Sequence, residues 1–180
     1  MPEDTSDFLK NKHKKKGNKK MKVLLLHCVN HSMFGKRDPK QYGTITLEGV
    51  NAKTKKVADE LGVELETFVT NFEGEIVEKI HDAYNTMADP DRTKIDAILI
   101  NAGAWTHYSW ALHDALHMFA DDCGPVYELH MSNTHKREEW RHFSVISPLA
   151  QGILIGMGSD VYTLGLRAAH SFLSGESDKV

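Results

Sequence analysis

Short apolar runs alternate along the chain with segments whose apolar residues recur at helical spacing. Residues 22–28 (KVLLLHC) form a continuous apolar run that is typical of a buried strand. Helical spacing over 46–61 predicts a first helix, which Gly62 ends, and Asn71 is the predicted cap of the next helix. The remaining predicted strands are 63–70, 95–100, 125–129 and 152–156, and the remaining predicted helices are 73–87, 109–119 and 162–173.

This alternation predicts the fold class. Parallel strands need crossover helices, so the pattern indicates an α/β protein, a flavodoxin-like three-layer sandwich around a five-stranded parallel sheet. Its crossovers should be right-handed, and ligands should bind beyond the carboxyl ends of the strands. The predicted organisation is a disordered basic tail over 1–21, a single catalytic domain over 22–175 and a C-terminal tail over 176–180.

Length and composition fit one domain with a sizeable core, since the chain has 180 residues and 41% of them are hydrophobic. No apolar run approaches the ~18–20 residues that cross a bilayer, so no membrane association is expected. The lysine-rich N-terminus lacks the apolar segment of a secretory signal. Two distant cysteines, Cys28 and Cys123, give no disulfide framework and favour a reducing, cytoplasmic location, with Cys28 predicted as a buried apolar residue.

Positive charge is concentrated at the N-terminus. Residues 1–22 carry eight lysines and three acids, a balance of +5; because the whole chain has a formal charge of −3, the remainder carries −8. A body that binds nucleic acid would be basic, so no nucleic-acid partner is predicted. The tail is interpreted as a solvated extension, with contact to an anionic partner as the alternative.

Polar residues cluster where the predicted strands end. Because the carboxyl ends of parallel strands meet at one edge of a sheet, these residues predict a binding site there. After the first strand come Asn30, Arg37 and Tyr42; after the third, Asn101 and His107; after the fourth, Glu128, His130, Ser132, Asn133 and Arg141.

The segment Gly35–Gly43 (GKRDPKQYG) is predicted to be a mobile loop that closes over a substrate, because it is bracketed by glycines and contains a proline. An ordinary tyrosine has a pKa of about 10 and is a poor base at neutral pH. A fixed cation favours the phenolate, and Arg37 lies five residues before Tyr42. The pair predicts a tyrosinate base; the alternative is an exposed basic loop with an incidental tyrosine.

Glu128 and His130 are two residues apart, so both side chains face the same side of an extended strand. A carboxylate beside an imidazole fixes its tautomer and favours the imidazolium, and histidine is suited to donating a proton near neutrality. The pair predicts a general acid; the alternative is a structural histidine at a strand end.

Six motifs follow one another along the chain: GKRDPKQYG at 35–43, NFEGE at 71–75, NAGAWTH at 101–107, ELHMSN at 128–133, REEWRH at 137–142 and SPLAQG at 147–152. Together, over about 23–173, they resemble the type II 3-dehydroquinate dehydratases. Any one motif is weak, but six in order at matching spacing are specific. The resemblance implies a flavodoxin-like homotrimer, usually assembled into a dodecamer. It also implies anti elimination of water from 3-dehydroquinate to give 3-dehydroshikimate, without metal or cofactor.

The resemblance further implies roles for individual residues. Tyr42 would remove the proton beside the ketone, and Arg37 would keep Tyr42 anionic. His130, oriented by Glu128, would protonate the leaving hydroxyl, and Asn30 would position a water on the developing enolate. The implied substrate-binding residues are Asn101, His107, Met131, Ser132 and Arg141, with Asp114 reaching into a neighbouring subunit's site.

The chain departs from the family pattern after its first strand. The family usually has Asn-Gly-Pro-Asn-Leu-Asn, whereas this chain has His-Cys-Val-Asn-His-Ser at 27–32, so the turn that glycine and proline pre-set is lost. Asn30 is retained, but the usual arginine just before Asp114 is His113. These changes bear on pocket shape, substrate and rate more than on reaction type.

Three other interpretations remain open. His113 and His117, four apart on a predicted helix, have the spacing of metal ligands, but no third ligand follows at convincing spacing. A flavin-binding or phosphoacceptor module would need a phosphate loop or clustered acids after the first strand, and residues 27–30 offer neither. The third is a non-catalytic or altered-substrate binder of a related cyclic hydroxy acid on the same fold.

Overall fold

The computed structural model describes residues 20–36, 43–90 and 92–176, so most of the predicted N-terminal tail lies outside the described residues. The strands are β1 (Lys22–His27), β2 (Glu64–Val69), β3 (Ala97–Asn101), β4 (Val126–His130) and β5 (Gly152–Ile155). The helices are α1 (Leu47–Leu61), α2 (Glu73–Asn85), α3 (Trp110–Asp122) and α4 (Asp160–Ser174). Every predicted strand and helix is present, with ends shifted by a few residues.

All five strands are parallel and lie in the order β2-β1-β3-β4-β5. This is the flavodoxin-like order, so the predicted fold class is confirmed. β1, β3 and β4 have neighbours on both sides, which explains why their sequences are almost continuously apolar. β2 and β5 form the edges and carry exposed side chains such as Val69 and Ile153.

Helices cover both faces of the sheet and enclose two apolar cores. On one face α2 and α3 bury residues such as Ile80 and Leu116, and on the other α1 and α4 bury residues such as Val57 and Leu166. Burying each side chain of this size contributes roughly 1.5–3 kcal/mol, so the sheet is a rigid platform for the loops at its edge. Within the described ranges, no helix combines the length and apolarity needed to cross a membrane.

The connection between β4 and β5 departs from the alternation of strands and helices. It contains only short 3₁₀ turns, at Thr134–Lys136, Glu139–Arg141 and Ser147–Leu149. Because single turns satisfy few backbone hydrogen bonds, side chains must stabilise this crossover. Asn133 does so at the first turn, where its side chain accepts a hydrogen bond from the His135 N–H at 3.0 Å.

Helix ends follow the predicted local signals in α1 but not in α2. Thr46 caps α1 with its hydroxyl, and Gly62 ends it in the left-handed conformation. The prediction that Asn71 caps α2 is wrong, because the N-cap is Phe72, which makes no side-chain hydrogen bond there. Asn71 instead reaches the turn after β1, where its Oδ1 accepts from the Asn30 N–H at 2.8 Å.

Candidate active site

A polar pocket lies at the carboxyl edge of the sheet, between the segments that follow β1, β3 and β4. Its volume is about 150 Å³, and it lies where small ligands usually bind in parallel α/β sheets. It also lies beside the point where strand order reverses, between β1 and β3. The pocket is lined by Val29, Asn30, His31, Phe34, Asn101, Gly103, Ala104, His107, His130, Met131, Ser132, Thr134, Arg137 and Arg141.

The structure brings most of the predicted site residues together. Those that line the pocket are Asn30, Asn101, His107, His130, Met131, Ser132 and Arg141. Glu128 lies directly behind His130, at hydrogen-bond distance. Asp114 is exposed on α3 and does not line this pocket. Arg37 and Tyr42 lie outside the described residues, so their roles stay predictions.

A carboxylate–imidazole pair lies at one wall of the pocket, with His130 in the lining and Glu128 behind it. His130 Nε2 lies 2.7 Å from Glu128 Oε1, and Glu128 has 0% exposure. Burial alone would raise the pKa of Glu128, but the hydrogen bond and charge of His130, together with hydrogen bonds from Ser147 and Thr106, hold the pKa below its usual value. An ionised carboxylate only accepts hydrogen bonds, so the shared proton resides on Nε2. The other ring nitrogen, Nδ1, is left for a ligand.

Three hydroxyl groups complete the surroundings of Glu128, and the sequence analysis did not predict them. Thr106, Ser144 and Ser147 all donate hydrogen bonds to its carboxylate. Thr106 follows β3, whereas both serines lie in the β4–β5 crossover. Thr106 and Ser147 fall within family motifs, but hydroxyl residues are so frequent in turns that spacing alone could not single them out.

The turn after β1 holds Asn30 in the left-handed conformation. Its φ is 68°, and no other non-glycine residue in the described part of the chain has a positive φ. Asparagine tolerates this conformation better than most residues. Asn71 stabilises the turn by accepting from the Asn30 N–H, and its own amide lies 3.4 Å from Ser32 Oγ. A side chain from the β2–α2 loop thus fixes a turn that lacks the family's glycine and proline.

Two histidines of the divergent segment are buried beside this turn. His27 Nε2 donates to Asn51 Oδ1 at 2.8 Å, and burial, partly opposed by that hydrogen bond, lowers the pKa of His27 to about 4. His27 is therefore neutral near physiological pH. His31 packs its ring against Phe34, with centroids 4.7 Å apart, and lines the pocket. The imidazole of His31 adds a polar group to this part of the wall.

Asn101, the last residue of β3, is fixed by two hydrogen bonds. Its Nδ2 donates to the Tyr162 hydroxyl at 2.8 Å, and its Oδ1 accepts from the Gly103 N–H at 3.3 Å. Burial raises the pKa of Tyr162, although the hydrogen bond with Asn101 opposes this, so Tyr162 is a neutral phenol. The orientation of the Asn101 amide in the pocket is therefore set by α4 as well as by β3.

His107 and Arg141 both line the pocket and both contact the Trp140 ring. His107 Nδ1 donates to the Phe143 carbonyl at 2.7 Å, and partial burial lowers the pKa of His107 although that hydrogen bond opposes the change. Neutral His107 therefore has Nε2 free to accept a hydrogen bond. The Arg141 guanidinium stacks on Trp140 at 3.9 Å, and its Nε donates to Glu138 at 2.9 Å. Both side chains are thus pre-oriented for polar ligand groups.

Arg137 is a second pocket arginine, which the sequence analysis missed. It lies 3.4 Å from Ser132 Oγ through Nη1 and also lines an adjoining groove that Gly43 borders. Gly43 directly follows Tyr42 in sequence. The sequence offered one indication of a role for Arg137, its place at the start of the REEWRH motif. The resemblance assigned a role in that motif to Arg141 alone. A fixed cation therefore lies near the point where the chain resumes after Tyr42.

The alternative interpretation as a metal site depends on His113 and His117 as ligands. Their rings are 5.8 Å apart on α3, but His113 Nδ1 donates to the Val145 carbonyl at 2.6 Å, and His117 lies 3.2 Å from Asp121. Among residues 20–36, 43–90 and 92–176, no three His, Cys, Asp or Glu side chains are grouped to hold a metal ion. His113 instead ties α3 to the β4–β5 crossover.

Fold and site together define a class: an α/β enzyme with a buried carboxylate–imidazole pair beside a small polar pocket beyond the strand ends. The family described as dehydroquinase class II matches residues 21–170 of the chain. The chain therefore belongs to the class II dehydroquinase family, and the predicted resemblance is confirmed.

Individual relatives agree with this assignment over nearly their full lengths. The 3-dehydroquinate dehydratase of Syntrophotalea carbinolica is 49% identical over 156 residues, covering 87% of this chain and 99% of that protein. The 3-dehydroquinate dehydratase of Leptothrix cholodnii is 49% identical over 149 residues, covering 83% and 93%. The crystal structure of type II dehydroquinase from Butyrivibrio crossotus has a TM-score of 0.77 at 33% identity, covering 84% and 99%.

Proposed function

We propose that this chain is a 3-dehydroquinate dehydratase, which removes water by anti elimination through an enolate and gives 3-dehydroshikimate. The observation that carries the proposal is the buried Glu128–His130 pair, at 2.7 Å, beside a pocket that also contains Asn30 and Arg141. The activity named for the two bacterial relatives supports the same substrate. In the proposed mechanism, side chains carry out both proton transfers.

Tyr42 is the proposed base, whose phenolate removes the proton from the carbon beside the ketone. Arg37 in the same loop and Arg137 beside the groove at Gly43 are the cations that favour this phenolate. A proton next to a ketone is acidic enough for a base of modest strength when the enolate is stabilised. Asn30 holds the water that stabilises it.

His130 is the proposed acid. As an imidazolium it gives its Nδ1 proton to the leaving hydroxyl, which departs as water while the carbon–carbon double bond forms. Nε2 keeps its own proton, which stays hydrogen-bonded to the Glu128 carboxylate. The elimination leaves a neutral Tyr42 phenol and a neutral His130 imidazole. One proton passing from Tyr42 to His130 through solvent restores the starting state.

The remaining pocket residues are proposed to bind the substrate's ring hydroxyls and carboxylate. His107 accepts from one hydroxyl through Nε2, and Arg141 donates to another. The Asn101 amide is already oriented toward the same region by Tyr162. The backbone N–H groups of Met131 and Ser132, with the Ser132 hydroxyl, bind the carboxylate.

Turnover of 3-dehydroquinate by the full chain tests the proposed function. We expect the absorbance of the conjugated enone product to rise on addition of enzyme. The rate should be unchanged after exhaustive chelation, because neither proton transfer uses a metal. A protein that binds a dehydroquinate analogue but forms no enone would instead be a non-catalytic or altered-substrate binder, and turnover of related cyclic hydroxy acids would separate those two.

A homotrimer, four of which form a dodecamer, is the proposed assembly. Large apolar side chains at and just before the start of α3 and in the β4–β5 crossover are more than half exposed: Tyr108, Trp110, Trp140 and Phe143. Exposed apolar surfaces of this kind mark protein interfaces. Asp114 is exposed one turn after Trp110 on the same helix. In the trimer this face would carry Asp114 into the pocket of a neighbouring copy.

Subunit complementation tests this assembly. Chains with Asp114→Asn and with Tyr42→Phe, each nearly inactive alone, should regain activity when co-expressed. The reason is that mixed trimers contain sites with an intact Tyr42 from one chain and an intact Asp114 from the other. Co-expression of Tyr42→Phe with His130→Ala is the matched control. It should stay inactive because both residues belong to one copy's site, and an equally inactive Asp114 mixture would contradict the shared site.

A further inference from the structure

The carboxylate of Glu128 accepts more hydrogen bonds than orienting one imidazole requires. Oε1 accepts from His130 Nε2 at 2.7 Å, from Ser144 Oγ at 2.9 Å and from Thr106. Oε2 accepts from Ser147 and lies 3.1 Å from Ser144 Oγ. Because Glu128 has 0% exposure, these protein donors replace the solvation that water gives a surface carboxylate.

The direction of the Ser144 hydroxyl proton follows from its other contacts. Its oxygen accepts from the backbone N–H groups of Ile146 and Ser147, each at 3.0 Å. A hydroxyl has two acceptor sites and one proton, so the proton is left for Glu128 Oε1 at 2.9 Å or for Thr106 Oγ1 at 3.0 Å. The ionised carboxylate is the stronger acceptor of the two and takes it. The same two contacts fold the start of the crossover around Glu128, which places the Ser147 hydroxyl on the other carboxylate oxygen.

The charge of Glu128 is sustained by its surroundings. Its sheet neighbours Ile100 and Ile153 are apolar, and the titratable or charged groups around it are His130, His107 and, beyond His107, Arg141. Burial alone would raise the pKa of Glu128. His130 opposes this most strongly, and the hydroxyls of Ser147 and Thr106 add to that effect.

We propose that Thr106, Ser144 and Ser147 form a hydroxyl cage, a set of positioning residues that keeps Glu128 ionised and aligned so that His130 donates its proton from Nδ1. The inference rests on the proposed function. A protonated Glu128 would itself donate to Nε2 and leave His130 as a neutral imidazole, which is a far weaker acid at Nδ1 than the imidazolium. The cage therefore acts on the leaving-group step through His130, without touching the substrate.

Kinetics of a hydroxyl deletion test the cage. Thr106→Val should lower kcat about tenfold with little change in KM, because one hydrogen bond to a charged group is lost, whereas Thr106→Ser should retain nearly the full rate. In the His130→Ala background the same deletion should have no further effect. Thr54→Val is the matched control, since it removes a buried hydroxyl that donates to Val50 within α1, and it should keep kcat.

An unchanged kcat in Thr106→Val, or an equal loss with and without His130, would overturn the cage. Ser147→Ala, at a partly exposed position, serves as the second variant if Thr106→Val does not fold. It should show the same dependence on His130.

Carboxyl titration by ¹³C NMR tests the cage in the resting protein, independently of turnover. With Glu128→Gln to assign the signal, the Glu128 carboxyl should titrate about one pH unit higher in Thr106→Val or Ser147→Ala than in wild type. An unchanged titration would overturn the cage whatever the activity. Failure of the wild type to form product would instead overturn the proposed function.

Discussion

Replacing Tyr42 by phenylalanine should lower kcat by roughly 10²–10⁴-fold while binding of a dehydroquinate analogue persists. The phenyl ring fills the same space but has no oxygen to remove the proton beside the ketone. Arg37 and Arg137 would remain as cations without a base to ionise. Enone absorbance with saturating substrate measures the loss in kcat, and calorimetric titration of the analogue measures the retained binding.

A matched tyrosine variant separates chemistry from the loss of a hydroxyl in general. Tyr84 donates to Asp122 between α2 and α3, at 2.8 Å and outside the pocket lining, so Tyr84→Phe should keep the wild-type rate. Equal rates for wild type and Tyr42→Phe would remove Tyr42 from the mechanism. A loss of analogue binding in step with kcat would assign Tyr42 to binding instead.

The fold and the inner face of the site were predictable because both depend on strand periodicity. Continuous apolar runs identified β1, β3 and β4, and the carboxyl ends of parallel strands must lie along one edge. Asn101 and His130 are the last residues of β3 and β4, so their meeting in one pocket follows from the topology. The two-residue spacing likewise placed Glu128 beside His130.

Loop geometry was not predictable in the same way, because it depends on long-range contacts between irregular segments. Asn71 has the sequence signal of a helix cap, yet it bonds Asn30, 41 residues away, across the sheet edge. Thr106 and Ser144, 38 residues apart, both bond the same carboxylate. No helical or strand period relates such positions. Arg137 was missed for the same reason, since the 3₁₀ turns of the crossover decide which arginines reach the pocket.

The turn after β1 holds Asn30 in place although residues 27–32 lack the glycine and proline that would favour a turn. Without the family's glycine and proline, nothing in residues 27–32 pre-sets the left-handed conformation of Asn30. The structure supplies the constraint through Asn71 instead. His27, neutral and bonded to Asn51, fills the end of β1 beneath this turn without adding a charge. The unusual sequence at 27–32 therefore affects the pocket wall at His31 more than it affects the position of Asn30.

Replacing His130 by alanine should give a protein that binds a substrate analogue but turns over roughly 10²–10⁴-fold more slowly, because the leaving hydroxyl loses its proton donor. The alkaline fall in rate, which deprotonation of an essential imidazolium produces, should disappear from the pH profile of the variant. Added imidazole should restore part of the rate by occupying the space beside Glu128. Rates across the pH range, with and without imidazole, measure both effects.

An exposed histidine provides the control for this variant. His135 lies on the surface of the β4–β5 crossover and does not line the pocket, so His135→Ala should keep both the rate and the alkaline fall. If His130→Ala retained the alkaline fall, the titrating acid would be a group other than His130, and the proposed role of His130 would be wrong. Imidazole should rescue His130→Ala but not Tyr42→Phe, because alanine leaves the space of the missing ring vacant whereas phenylalanine fills the space of the tyrosine.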